Sequence, residues 1–249
     1  MGFDVDPDAY DRFMGRFSAP LADEVVATLG VGPTDAVLDV GCGPGALTSR
    51  LVGRAGRVAA VDPAEPFVAA VRTRLPDVDV RRAGAQDLPF DDGTFDVSVA
   101  QLVVHFLPDP VAGLREMRRV TRTGGTVAVC VWDHAARGPL AAFWRAVRDL
   151  DPASPGEDLL PGVRRGHLAR LCRDAGLAVD DDGEATVSLR FDAFADWWEP
   201  FTLGVGPAGD HVAGLDAAGQ ARLRDRCAQV LGPPPFTVDA TAWVVRAHV

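Results

Sequence analysis

Val37-Leu38-Asp39-Val40-Gly41-Cys42-Gly43-Pro44-Gly45 decides the fold. An apolar run enters it from Ala36, and an amphipathic run, Ala46-Leu47-Thr48-Ser49-Arg50-Leu51-Val52, leaves it. The order reads as strand, glycine turn, helix. Gly41, Gly43 and Gly45, at alternate positions, let the backbone bend sharply and come close to a ligand with no Cβ in the way. A helix starting straight after the turn offers free N–H groups and partial positive charge to an anionic ligand group. A buried strand ending at a glycine turn is where open α/β sheets bind ligands.

The spacing narrows the ligand. A dinucleotide fingerprint puts two residues between its second and third glycines, whereas only Pro44 separates Gly43 from Gly45. Asp39 stands two positions before the first glycine. Its charge repels a pyrophosphate and favours a cationic or zwitterionic group. Both features disfavour a nicotinamide oxidoreductase. The strand Arg57–Val61 follows and ends at Asp62, one βαβ unit beyond Asp39. An acidic residue at the tip of the second strand accepts hydrogen bonds from ribose hydroxyls, which points to a nucleoside-like ligand with Pro63 beside its base.

The glycine turn resembles the first motif, [D/E]-x-G-x-G-x-G, of class I S-adenosylmethionine-dependent methyltransferases, with Asp39, Gly41, Gly43 and Gly45 at its four constrained positions and Cys42 between the first two glycines. Three later segments resemble the small-molecule (type 11) branch. Ala83-Gly84-Ala85-Gln86-Asp87-Leu88-Pro89-Phe90 is similar to a G-D-A-x-x-L-P-F loop that sits over the adenine edge. It departs at Gly84, where the family's aspartate is missing. Gln86, Asp87 or the backbone at Ala85 then takes over the base contact. Gln101-Leu102-Val103-Val104-His105 is similar to the segment after the fourth strand, which lies between cofactor and acceptor. Glu116 to Val127 is similar to E-x-x-R-V-L-x-P-G-G-x-x, with Thr123 in place of the proline. Near the N-terminus, Tyr10-Asp11-Arg12-Phe13-Met14-Gly15-Arg16-Phe17-Ser18 resembles a Y-D-x-x-x-G-R-x-S segment whose tyrosine and arginine approach the methionine end of the cofactor. That makes Tyr10 and Arg16 candidate cofactor contacts.

The resemblance implies a doubly wound, Rossmann-like α/β sheet of seven strands, its last two antiparallel, with a helical lid insertion. Within one methyltransferase domain, residues 1–30 read as an N-terminal helical cover, of which 1 to about 9 read as disordered. Residues 31–133 read as the cofactor-binding core. Residues 134–239 read as helices and a lid insertion with the sixth strand, and 240–249 as the final strand. The implied cofactor is S-adenosylmethionine, with S-adenosylhomocysteine as product. The implied reaction is methyl transfer to an O, N or C nucleophile of a small molecule. The alternative is a non-methylating protein of the same fold: a cyclase, a regulator or a degenerate subunit. His105 is the candidate general base, because histidine titrates near neutral pH unaided; lining a wall is its other reading. Trp197, Trp198 and Phe201 are candidate acceptor contacts, or else pins holding an inserted helix on the core.

Composition trims the alternatives. The formal net charge is −10, so the chain is a poor partner for phosphate-rich nucleic acid. All 25 basic residues are arginine, which rules out Schiff-base chemistry and a lysine base. Cys42, Cys130, Cys172 and Cys227 lie far apart, with no C-x-x-C pair, against a thiolate metal site or a disulfide scaffold. No metal is expected. The acidic start, Met1 to Asp6, is unlike a signal peptide, and no run reaches membrane-spanning length. A cytoplasmic monomer or homodimer, without membrane or nucleic-acid partners, is expected.

Overall fold

The computed structural model describes residues 5–249. The chain opens with α1 (Pro7–Tyr10), a π-helical turn (Asp11–Gly15) and α2 (Arg16–Leu29). Alternation follows: β1 (Ala36–Val40), α3 (Thr48–Leu51), β2 (Arg57–Asp62), α4 (Glu65–Arg74), β3 (Asp79–Arg82), β4 (Phe95–Gln101), a 3-10 turn (Val104–Phe106), α5 (Pro110–Val120) and β5 (Thr121–Trp132). Next come α6 (Ala141–Leu150), α7 (His167–Asp174) and β6 (Ala178–Phe191). The lid insertion is α8 (Phe194–Trp198), a 3-10 turn (Glu199–Leu203), α9 (Gly206–Ala213) and α10 (Ala217–Leu231), before β7 (Phe236–His248).

The seven strands make one sheet in the order β3-β2-β1-β4-β5-β7-β6. Strands β1 to β5 pair in parallel, and β7 is antiparallel to both β5 and β6. The unbroken apolar run Val127–Trp132 of β5 follows from burial on both faces. On β1 and β4, Val37, Val97 and Val99 face one layer, with α2 residues Leu21, Ala22 and Val25. Leu38, Val40 and Ala100 face the other, with Leu114 and Met117 of α5 and Leu168 of α7. This alternation with a period of two is what a strand imposes.

The structure moves several boundaries. The stretch read as disordered forms a helix from Pro7, capped by the Asp6 side chain, which accepts from the Asp8 and Ala9 amides at 2.9 and 3.2 Å; residues 1–4 lie outside the described residues. The helix read from Ala46 to Val52 shrinks to the single turn of α3, because residues 43–47 are spent completing the glycine turn. β7 begins at Phe236, ahead of the expected 240, because it pairs antiparallel with β6 along its whole length.

Candidate active site

Three glycines in one motif do three different jobs. Gly41, at φ +72°, lies where a Cβ would be 2.4 Å from Cγ2 of Val103. Its amide and that of Cys42 donate to the Val61 carbonyl at 2.8 and 3.0 Å, which stitches the turn to β2. Gly43, at φ +52°, has nothing within 4 Å of a Cβ position and faces the open cavity. Gly45, at φ +99°, packs on α4, where a Cβ would sit 3.2 Å from Val71. Gly45 is absent from the cavity wall; it lets α4 approach and has no direct place at a ligand.

Two buried carboxylates flank the turn. Asp62 Oδ2 accepts from the Gly43 amide at 2.9 Å, and Oδ1 from the Ala64 amide at 2.8 Å. Burial raises its pKa against these two bonds. Asp39 is 1% exposed and accepts from the Thr48 hydroxyl at 2.6 Å. Burial, opposed by that bond, pushes its pKa up to about 7. Asp39 and Cys42 face a small hollow beneath the turn rather than the main cavity. Burial also pushes the Cys42 thiol up, which leaves it a neutral wall.

The main cavity measures about 690 Å³, within the ~300–1,000 Å³ of small-molecule sites. Gly41, Gly43, Asp62, Pro63, Ala85, Gln86, Asp87, Gln101, Leu102, His105 and Tyr10 all line it. The carboxyl ends of β2, β1, β4 and β5 follow one another along its floor. Three interstrand steps at about 4.8 Å make that floor roughly 14 Å long. Tyr10 meets Phe67 edge to face at 5.4 Å, and burial, with Asp62 nearby, raises its pKa.

Leu102 is the one non-glycine residue with positive φ (+64°) among the described residues. Such a conformation costs about 1–3 kcal/mol and persists where surroundings over-determine it, often at functional sites. Here the Leu102 amide is fixed to the Cys130 carbonyl at 2.8 Å. The neighbouring Gln101 Nε2 donates to the Ser18 carbonyl at 2.9 Å, leaving its Oε1 toward the cavity without a partner.

Two groups of sequence candidates are placed elsewhere. Arg16 is absent from the cavity wall. It donates to the carbonyls of Arg12 and Asp196 at 2.9 and 2.8 Å and lies over the Phe191 ring. It ties the N-terminal cover to the lid. Trp197, Trp198 and Phe201 are buried in the core and also absent from the wall. Phe201 stacks on Phe143 at 4.6 Å and meets Phe13 edge to face at 5.0 Å. The aromatic run pins the lid, and the wall above the cavity comes from the residues that follow it, Val205 to Ala208.

Sequence reading missed several residues. Arg74 donates to Asp11 at 2.9 Å and to the Pro44 carbonyl at 3.1 Å, fastening the N-terminal cover to the glycine turn. Trp132, His134 and Glu157 join His105 at the far end of the cavity. The signal for His134 was its position just after the fifth strand, parallel to that of His105 after the fourth. Glu157 sits in an irregular loop with no periodicity to mark it. Burial drives the His105 pKa well below its ordinary value and that of His134 to about 4, and raises Glu157 to about 7. Every buried side-chain nitrogen or oxygen without a hydrogen-bond partner among the described residues belongs to Gln101, His105, Trp132 or His134. All four residues line this one cavity. Buried polar groups are normally paired, so their concentration here makes this wall a candidate ligand surface.

The sheet order and the β7 direction are those of the class I S-adenosylmethionine-dependent methyltransferase fold. Residues 38–129 match the family model Methyltransf_11, a methyltransferase domain. An uncharacterized 37.1 kDa protein in transposon TN4556 of Streptomyces fradiae is 32% identical over 160 residues, 59% of this chain and 44% of that protein. A demethylmenaquinone methyltransferase of Mycobacterium sp. (strain KMS) is 35% identical over 135 residues, 54% of this chain and 55% of that protein. The chain thus spans about half the length of the curated relatives it matches. Geranyl diphosphate C-methyltransferase from Streptomyces coelicolor A3(2), crystallised with Mg2+, geranyl diphosphate and S-adenosyl-L-homocysteine, shares the fold at a TM-score of 0.54 and 16% identity, covering 94% of this chain and 80% of that one.

Proposed function

We propose that this chain transfers the methyl group of S-adenosylmethionine to a small-molecule acceptor. The observation that carries the reading is the single cavity with Asp62 and the open face of Gly43 at one end and unpartnered polar atoms at the other. Asp62 holds the ribose hydroxyls beside Pro63, and Gln86 or Asp87 reaches the adenine edge. The amino-acid tail lies over Gly43, near the Asp39 hollow and within reach of Gln101 Oε1. Tyr10 covers it. When bound, the cofactor supplies an electrophilic sulfonium methyl. The protein aligns the acceptor and excludes water, and proximity supplies most of the catalysis. Burial keeps His105 neutral and makes it a weak base, so it suits a wall better than the general base that an unaided histidine would be. Among the described residues, no cluster of His, Cys, Asp and Glu could hold a metal, and no helix is long and apolar enough to cross a membrane.

Calorimetric titration with S-adenosylhomocysteine tests the cofactor, and methyl release from labelled cofactor across an acceptor panel tests the reaction. No heat at millimolar ligand defeats the reading. Tight binding without transfer to any acceptor selects a non-methylating protein of this fold.

Asp39 gives a pH prediction. Its folded-state pKa is raised to about 7 from 3.8. Between those values the native chain keeps a proton that the unfolded chain releases, so this group's contribution falls as pH rises from about 4 to 7 and is level above. In Asp39→Asn, which keeps an acceptor for Thr48, that part of the slope disappears. Ligand-free stability at pH 8 rises, while S-adenosylhomocysteine binds more weakly. Thermal unfolding of both forms from pH 4 to 8 reads the difference; parallel curves refute it.

Arg16→Ala gives the opposite kind of result. The guanidinium binds backbone carbonyls of the cover and lid, away from the cavity. Cofactor affinity stays within about twofold of wild type, and stability falls by about 1 kcal/mol for the lost hydrogen bonds. A tenfold loss of affinity returns Arg16 to the site.

A further inference from the structure

The acceptor end of the cavity is built around one imidazole. The amide of His134 donates to the Trp132 carbonyl at 2.8 Å, just past the end of β5. The adjoining turn is held by Asp133, whose carboxylate accepts from the Ala136 amide at 3.1 Å and from Arg137 at 3.0 Å. The His134 side chain is 3% exposed, and neither ring nitrogen has a hydrogen-bond partner. Glu157 lies beside it, with Oε2 3.9 Å from Nδ1, beyond hydrogen-bond range. That same oxygen accepts the Trp144 indole N–H at 2.7 Å, which fixes the carboxyl at the cavity wall. The His105 ring lies 5.3 Å from that of His134, centroid to centroid, and its Nδ1 is also without a partner. The lining of the same cavity includes Phe13, Met14, Leu140, Val205 and Ala208.

A neutral imidazole carries one donor and one acceptor. The two ring nitrogens point apart, so one ligand group meets only one of them. Glu157 faces Nδ1; with the ring's proton on that side, Nε2 is an acceptor that needs a donor from the ligand. A hydroxyl supplies one. An ether or a ketone only accepts and leaves this buried nitrogen unmatched, and an ammonium would bring a full charge to a buried end. An anionic head finds no countercharge there: burial holds the His134 pKa down to about 4 and pushes the Glu157 carboxyl up to about 7, and an ionised Glu157 would repel it. The surrounding wall asks for an apolar body.

We infer that His134, with Glu157 behind it, forms a subsite that recognises the hydroxyl group of a neutral, apolar acceptor. The inference deepens the methyltransferase reading and rests on it for the word acceptor. The subsite itself is a binding property, measurable without turnover. His134 touches the acceptor; Glu157 positions and shields the head group. The cofactor end at Asp62 lies across the cavity, at the end of β2, three strands away from β5.

The test pairs 1-naphthol with 1-methoxynaphthalene, which has the same body but no donor. Calorimetry measures both against the 249-residue chain, with and without saturating S-adenosylhomocysteine. Wild type is expected to bind the naphthol about tenfold more tightly, the usual discrimination for one buried polar group left unpaired. His134→Leu is expected to bring the two affinities within about twofold of each other. His134→Gln, which restores one donor and one acceptor, keeps most of the preference; a merely space-filling role would not separate Gln from Leu. Equal affinities in wild type, absence of naphthol binding, or a preference that survives in His134→Leu each overturn the inference. Should the leucine variant fail to fold, the wild-type comparison and the glutamine variant still decide. S-Adenosylhomocysteine affinity, measured separately on each variant, reports on the methyltransferase reading and is expected to stay unchanged.

Discussion

Asp62→Ala is expected to weaken S-adenosylhomocysteine binding by about a hundredfold or more while leaving the chain folded. The size follows from the two hydrogen bonds that a carboxylate offers to vicinal ribose hydroxyls, each worth about 1.5–3 kcal/mol to a charged group. The same side chain also accepts from the Gly43 and Ala64 amides, so its removal frees both turns. Against that loss stands a gain. Burial raises the Asp62 pKa, so the native fold carries an unfavourable buried charge that alanine removes. The two effects oppose each other in stability but act together on affinity, because a loosened glycine turn no longer presents Gly43 to the ligand. Affinity therefore moves far more than melting temperature. Asp62→Asn separates the jobs. It keeps an acceptor oxygen for one turn and loses the charge and one acceptor, so its affinity falls between wild type and alanine. Calorimetry and thermal unfolding on the three proteins give the comparison. Wild-type affinity in the alanine variant removes Asp62 from the site; collapse of the fold in the asparagine variant makes the clamp its main role.

The half of the site around Asp62 was legible in the sequence, for reasons that are local. A strand, a turn with glycines at alternate positions and an acid at the next strand's tip are consecutive features, and the parallel sheet brings their carboxyl ends together by topology alone. Gln101 and Leu102 follow from the same rule applied to β4. The far half was not legible. His134 and Glu157 meet only because the turn after β5 and the 151–162 loop fold onto the same end of the cavity, and no periodicity encodes that approach. Arg16 and the Trp197–Phe201 run lie off the cavity wall for a related reason. A guanidinium and large aromatic rings suit ligands and cores equally well, and which use prevails depends on tertiary placement. Phe201 found Phe143 and Phe13 across chain separations that the sequence does not advertise. The glycine turn itself needed refinement. One motif looked like one function, yet its last glycine serves the contact with α4 and its middle one the cavity.

That division gives the second large effect. Gly41→Ala is expected to destabilise the fold by about 2–5 kcal/mol, the sum of a left-handed backbone for a residue with a Cβ and an overpacked neighbour. For a chain of this size that is a fall of roughly 10 °C in melting temperature. The clash is specific: the new Cβ would sit 2.4 Å from Cγ2 and 3.0 Å from Cγ1 of Val103. Val103 follows the strained Leu102 on the cavity wall, so the valine cannot retreat without moving the wall. Gly43→Ala provides the contrast. Its backbone is also left-handed, but nothing stands within 4 Å of the added methyl, so the stability loss is only about 1–2 kcal/mol. The methyl instead enters the space assigned to the cofactor, and S-adenosylhomocysteine affinity drops at least about tenfold. Coupling the first change to Val103→Ala removes the methyl groups it strikes. The double variant should recover part of the lost stability relative to Gly41→Ala, which two independent destabilising changes would not do. Thermal unfolding of the single and double variants measures the recovery. Additive losses would mean that the backbone angle, rather than the approach of Val103, makes glycine necessary at position 41.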